Sequence, residues 1–135
     1  MSDKLQPLTE ALLRAAEKAG ATAADAMAVD GAAISVDVRQ GRLEQAERSE
    51  GIEIGLRVLI GQRQACVSAS DVSARTIADM AERAVAMARA VPEDPYCGIA
   101  DAAELARRLP DLDLDDGGEP SVRSEERRVG KECRL

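Results

Sequence analysis

Cysteines and a run of aspartates are the residues of this 135-residue chain best suited to chemistry. Cys66 and Cys97 could serve as a nucleophile or as metal ligands. A cysteine nucleophile is usually activated by a neighbouring base, most often histidine. The sequence contains no histidine, so a Cys–His pair cannot be built within it. The two thiols stand 31 positions apart, far outside the close Cys spacing of a zinc site. Cys66 lies in the small-residue stretch QACVSAS, where a free cysteine is expected to act as a small hydrophobe. Asp111, Asp113 and Asp115 open with the alternation of an EF-hand loop. The sixth position of that loop calls for Gly and holds Asp116, and the twelfth calls for Glu and holds Val122. The segment therefore reads as a solvated acidic linker. Gly41, Gly51, Gly55 and Gly61 match neither G-x-G-x-x-G nor G-x-x-x-x-G-K-[ST] and read as turn and packing glycines. No catalytic, metal-binding or cofactor-binding residue is assigned.

The elements that would carry these residues follow from periodicity. Leu8, Leu12, Ala15, Ala16 and Ala19 recur at helical spacing, which predicts a helix over about 7–19. Pro7 suits its first turn, Glu10 its N-terminal dipole, Lys18 its C-terminal one, and Gly20 a C-terminal cap. The period then drops to two. A weak strand at Ala26–Val29 meets a turn signal at Asp30-Gly31. Ile34, Val36 and Val38 alternate with polar residues as a second strand, and Gln40-Gly41 is a second turn. Leu43–Ser49 is mostly polar, so it is either exposed or an edge. Glu50-Gly51 reads as a third turn. Ile52, Ile54, Leu56 and Val58 give the clearest apolar face, and Gln64–Ser70 follows the turn at Gly61.

A second helix begins after Ser73 as N-cap, with Val72 able to staple onto Ile77. Its apolar stripe is Ile77, Met80, Ala81, Ala84, Ala88 and Val91, and Pro92 ends it. Met80 and Met87 read as core filler. Asp101–Arg108 is a candidate short helix. The expectation is an α+β two-layer domain: a largely antiparallel sheet of about five strands with two main helices on one face. Residues 1–108 form the domain and 109–122 an acidic linker.

Composition bounds the function. The chain is 45% hydrophobic, much of it alanine, with one tyrosine and no Trp or Phe. Such a core buries little area per side chain, so modest stability is expected. A net charge of −7 disfavours nucleic acid and anionic membrane surfaces as partners. No apolar run approaches a membrane span of ~20 residues. The N-terminus MSDKLQPLTE lacks a secretion signal. Three scattered cysteines suggest a reducing compartment, the cytoplasm by default.

The last residues, RSEERRVGKECRL, are basic in an otherwise acidic chain. Arg123–Arg134 matches the in-frame translation of a common short-read sequencing adapter, and Leu135 departs from it. The expectation is that 123–135 is not native and that the chain is an N-terminal fragment ending near Val122.

Taken in series, ISVDVRQGRLEQAERSEGIEIGLRV, GQRQACVSASDVSARTIADMAERAVAMARAV, PEDPYCGIADA and LPDLDLDD resemble the first domain of the TldD/PmbA family, closer to the PmbA (TldE) branch. The resemblance covers about residues 8–116 and rests on order, not on one diagnostic motif. It implies a cytosolic zinc metalloprotease of two related subunits that trims peptide precursors, also called a modulator of DNA gyrase. In the TldD-like subunit zinc is held by H-E-x-x-x-H, downstream of this region. No metal or catalytic residue of the family carries over to this histidine-free sequence. By the resemblance this domain builds the heterodimer with a TldD-like partner and the walls of a peptide channel. The alternatives are a stand-alone non-catalytic protein- or peptide-binding module using the strand at 43–49, and an enzyme acting through Cys66 or Cys97.

Overall fold

The computed structural model describes residues 4–108, 110–114, 117 and 118. The element order is α1 (Gln6–Ala19), β1 (Ala23–Arg39), β2 (Arg42–Ile60), β3 (Arg63–Ala69) and α2 (Ala74–Ala90). The strands form one three-stranded sheet in the order β1-β2-β3, in place of the five strands expected. Two of the expected turns do not exist. Gly31 lies inside β1 and Gly51 inside β2, and neither has the positive φ that a tight hairpin turn demands. A D-G pair is a local signal, and the ladder between two long strands overrides it. The stretch 38–55 thus holds one hairpin turn and an uninterrupted run of β2 residues.

The chain divides into two compact units. One comprises the residues up to Gly31 with Gly51–Leu105; the other comprises Ala32–Glu50 and the described residues from Ala106 onward. In the second unit the true turn is Gln40-Gly41, where φ is 53° and 75°, as a two-residue type I′ connection requires. Leu43–Ser49 is exposed throughout.

The first unit holds the core. Helix α1 begins at Gln6 with Pro7 in its first turn. Glu10 falls beyond that turn and pairs with Arg14 at 3.7 Å instead. Gly20 adopts φ 97° and ends the helix, with bonds Gly20 N→Glu17 O and Ala21 N→Ala16 O, both 3.0 Å. Helix α2 is capped by Ser73, whose Oγ accepts from Thr76 N at 3.2 Å. Asp71 supports the cap by accepting from Ser73 N at 2.9 Å, Ser73 Oγ at 3.0 Å and Thr76 Oγ1.

Antiparallel pairing sets Leu56 opposite Val67 and Val58 opposite Ala65. Those four side chains enter one buried cluster with Leu12 and Ala16 of α1 and with Ile77, Met80, Ala81, Ala84, Val85 and Ala88 of α2. Val72 packs against the same cluster, as a staple at the entry to α2 would. Met80 is buried as expected, but Met87 is 43% exposed. It stands off the stripe set by positions 77, 80, 81, 84 and 88. Asp101–Arg108 forms no helix, only a turn closed by Glu104 N→Asp101 O at 2.8 Å. Its residues are exposed, and a short helix without a buried face gains too little to persist.

Candidate functional site

Strand alternation decides what the other face of the sheet carries. With Ile54, Leu56 and Val58 turned to the core, Gly55, Arg57 and Leu59 point away from it. With Ala65 and Val67 turned to the core, Gln64, Cys66 and Ser68 point the same way. The register sets Gly55 opposite Ser68, Arg57 opposite Cys66 and Leu59 opposite Gln64. Asp25 and Met27 of β1 border the same surface. Asp25, Met27, Gly55, Arg57, Cys66 and Ser68 line an open groove of about 560 Å³. Nothing lies within 4 Å of the place a Cβ would occupy on Gly55, so the groove floor is open there.

Its electrostatic centre is the Asp25–Arg57 pair. Arg57 Nε donates to Asp25 Oδ1 at 3.1 Å and to Oδ2 at 3.0 Å, and Nη2 also donates to Oδ2. The hydrogen bonds to Asp25, reinforced by its charge, push the Arg57 guanidinium further up. The pair is partly exposed, with side chains at 34% and 46% of full exposure. Its charges cancel locally, so the groove is apolar with a neutral polar pin rather than an anion or cation site.

Cys66 is exposed in this groove, which corrects the expectation of a small buried hydrophobe. Its small neighbours Ala65 and Val67 take the inward positions, and alternation forces Cys66 outward. Cys97 is half-buried in the loop after α2. Asp111 and Asp113 form a local turn, with Asp113 N→Asp111 Oδ1 at 3.2 Å. Asp115, Asp116, Cys133 and the segment 123–135 lie outside the described residues. Asp25, Arg57 and Ser68 were not singled out from sequence. The available signal was Arg57 on the polar phase of the otherwise apolar strand Ile52–Val58.

The donor set does not fit a zinc centre. The sequence has no histidine, and no group of three His, Cys, Asp or Glu side chains converges among the described residues. No step through a metal is assigned to this chain. No helix among the described residues is long and apolar enough to cross a membrane.

Residues 24–88, from β1 through nearly all of α2, match the sequence model of PmbA/TldA metallopeptidase domain 1. The chain belongs to the PmbA/TldD family of metallopeptidases. Among curated relatives, it is 37% identical to Metalloprotease PmbA of Escherichia coli O157:H7 over 81 residues, 60% of this chain and 18% of that protein. It is 36% identical to the Metalloprotease PmbA homolog of Haemophilus influenzae over 100 residues, 73% of this chain and 22% of that one. The chain thus spans about a fifth of these relatives' length.

Two crystal structures share the fold at 17% identity. A Bacteroides thetaiotaomicron protein assigned as a modulator of DNA gyrase superimposes with a TM-score of 0.70, over 79% of this chain and 24% of that one. TldE from Thermococcus kodakarensis does so with a TM-score of 0.62, over 94% of this chain and 30% of that one.

Proposed function

We propose that this chain is the first domain of a PmbA-like subunit of a cytoplasmic zinc metalloprotease complex that processes peptides. Its part is structural: it presents surfaces to a TldD-like partner and to the peptide, and the partner supplies zinc. The domain spans 1–108, with 109–122 as an acidic linker. The observation that carries this reading is the family match across residues 24–88, joined to relatives named metalloproteases. The sequence has no histidine with which to build H-E-x-x-x-H, in keeping with a partner that supplies the zinc.

The test is co-expression with a TldD-like subunit carrying H-E-x-x-x-H, followed by affinity purification through a tag on this chain and light scattering. A stoichiometric complex supports the reading; two non-interacting species count against it. A second reading, a stand-alone module that binds by strand addition, is favoured by one observation. β3 pairs with β2 only over Ile54–Ile60, so along the exposed Leu43–Ser49 no β3 residue occupies the second side of β2. Binding of an extended peptide to the isolated chain, without the subunit, would favour that module.

A further inference from the structure

The second unit carries a two-stranded ribbon. Within Ala32–Glu50 only Val36 and Val38 are half-buried, and every residue from Arg42 to Glu50 is exposed. A two-stranded ribbon on its own is marginal in water, and sheets gain stability from further strands. The sheet order is β1-β2-β3, and β3 pairs with β2 only over Ile54–Ile60. Among the described residues no strand pairs with the second side of β2 along Arg42–Glu50. Alternate backbone N–H and C=O groups there can accept a further strand.

Sheet edges are commonly blunted by charges, lysine above all, and a row of one sign would repel a second copy. Here the signs alternate. Arg42, Glu44, Ala46, Arg48 and Glu50 share one face of β2, and Arg48 already pairs with Glu50 along it. Laid antiparallel on a copy of itself with Ala46 opposite Ala46, the strand sets Arg42 opposite Glu50 and Glu44 opposite Arg48, each twice by symmetry. On the other face Gln45 meets Glu47 and Leu43 meets Ser49. No like charges face each other. Moving the axis by one residue destroys the match. Centred on Gln45, Arg42 meets Arg48; centred on Glu47, that residue meets itself and Glu44 meets Glu50. Opposite charges directly across a sheet support the pairing and like charges oppose it.

We propose that two copies of this chain join edge to edge, β2 antiparallel to β2 over Arg42–Glu50 with Ala46 on the two-fold axis. The result is an isologous interface and a sheet of order β1-β2-β2-β1 at this end of the chain. The occupant is a second copy rather than an unrelated extended peptide because the edge complements itself in one register. The proposal does not rest on the peptidase reading, and its test uses this chain without the TldD-like subunit.

Sedimentation velocity of the full chain over a concentration series tests it. The wild type should show a monomer–dimer equilibrium. Arg42→Glu sets a carboxylate against Glu50 at two places, and Glu50→Arg sets a guanidinium against Arg42. Each should raise the dissociation constant at least ~10-fold. An equimolar mixture of the two variants restores opposite charges at both places and should dimerise like the wild type. Both residues are exposed, and far-ultraviolet circular dichroism checks that the variants fold. With Cys66, Cys97 and Cys133 replaced by serine, Ala46→Cys should cross-link to its copy on mild oxidation, because directly opposite Cα atoms lie about 4.5–5.5 Å apart. Ser49→Cys in that background should not, since the two copies of position 49 would stand about 20 Å apart along the strands. A wild type that is monomeric throughout, a mixture that stays monomeric, or equal cross-linking at positions 46 and 49 would each overturn the proposal. So would edge amides that gain hydrogen-exchange protection only when an extended peptide or the TldD-like subunit is added, which would give the edge to that partner.

Discussion

Replacing Leu56 with alanine tests which face of the sheet is the interior. Leu56 is 2% exposed and sits in the stretch of β2 that pairs with β3, opposite Val67. The substitution removes three carbons, about 2.4 kcal/mol of transfer free energy at ~0.8 kcal/mol each. The surrounding cluster cannot close the space. Five of its members are alanines, Ala16, Ala65, Ala81, Ala84 and Ala88, with no rotamers to swing inward. A persistent cavity adds to the cost, for a total of about 3–4 kcal/mol. Against a stability of about 5–15 kcal/mol for a typical domain, that is a large fraction. Met27 supplies the control: it is 66% exposed on the groove side, and Met27→Ala should stay within about 0.5 kcal/mol. Urea titration followed by far-ultraviolet circular dichroism is the suitable assay, because the chain has no tryptophan and Tyr96, its one tyrosine, is 95% exposed. A Leu56→Ala loss under 1 kcal/mol with an unchanged slope, or a larger loss for Met27→Ala, would refute the assignment of faces.

Further outcomes follow from the same geometry. The hydrogen bond from Thr76, with those from Ser73, holds the Asp71 carboxyl below its ordinary range. Its stabilisation is therefore present above the ordinary carboxylate pKa of about 4 and is lost as pH falls below it. The melting-temperature gap between wild type and Asp71→Ala should be full at pH 6 and shrink by pH 3; a gap independent of pH contradicts this. Gln40 holds φ 53° at the hairpin turn, so Gln40→Gly should relieve about 1 kcal/mol of local strain. Hydrogen exchange of the amides flanking the turn reads it, and faster exchange in the variant counts against the assignment. A double-mutant cycle on Asp25 and Arg57 should give a coupling of about 1 kcal/mol, within the range for a well-aligned but partly exposed pair. Arg57→Lys, which loses the fork geometry, should retain less than half of it, and an undiminished coupling would point to simple charge attraction.

Both helices and their caps were legible in the sequence because their signals are local. Gly20 and Ser73 each satisfy nearby backbone groups, and the stripe at Ile77, Met80, Ala81, Ala84 and Ala88 needs only a helical period. The strand count was not legible. Gly31 and Gly51 look like turn residues in a short window, while their extended conformation is imposed by pairing between β1 and β2. Cys66 was misplaced for a related reason: composition marked a small-residue strand, but its side depends on whether Ala65 and Val67 reach the core. The Asp25–Arg57 pair joins residues 32 positions apart, and no single-strand pattern announces it. The exposed turn at Asp101–Glu104 shows the reverse case, a helical signal that packing does not reward.

The central proposal is that this chain, a member of a metallopeptidase family, does not itself carry the catalytic centre. Zinc-dependent hydrolysis of an unstructured peptide by the purified, zinc-equilibrated chain tests it most directly, with bound zinc measured on the same sample. The account expects no hydrolysis above a chelator-treated control and no stoichiometric zinc. Chelator-sensitive cleavage that tracks one retained zinc per chain would contradict it.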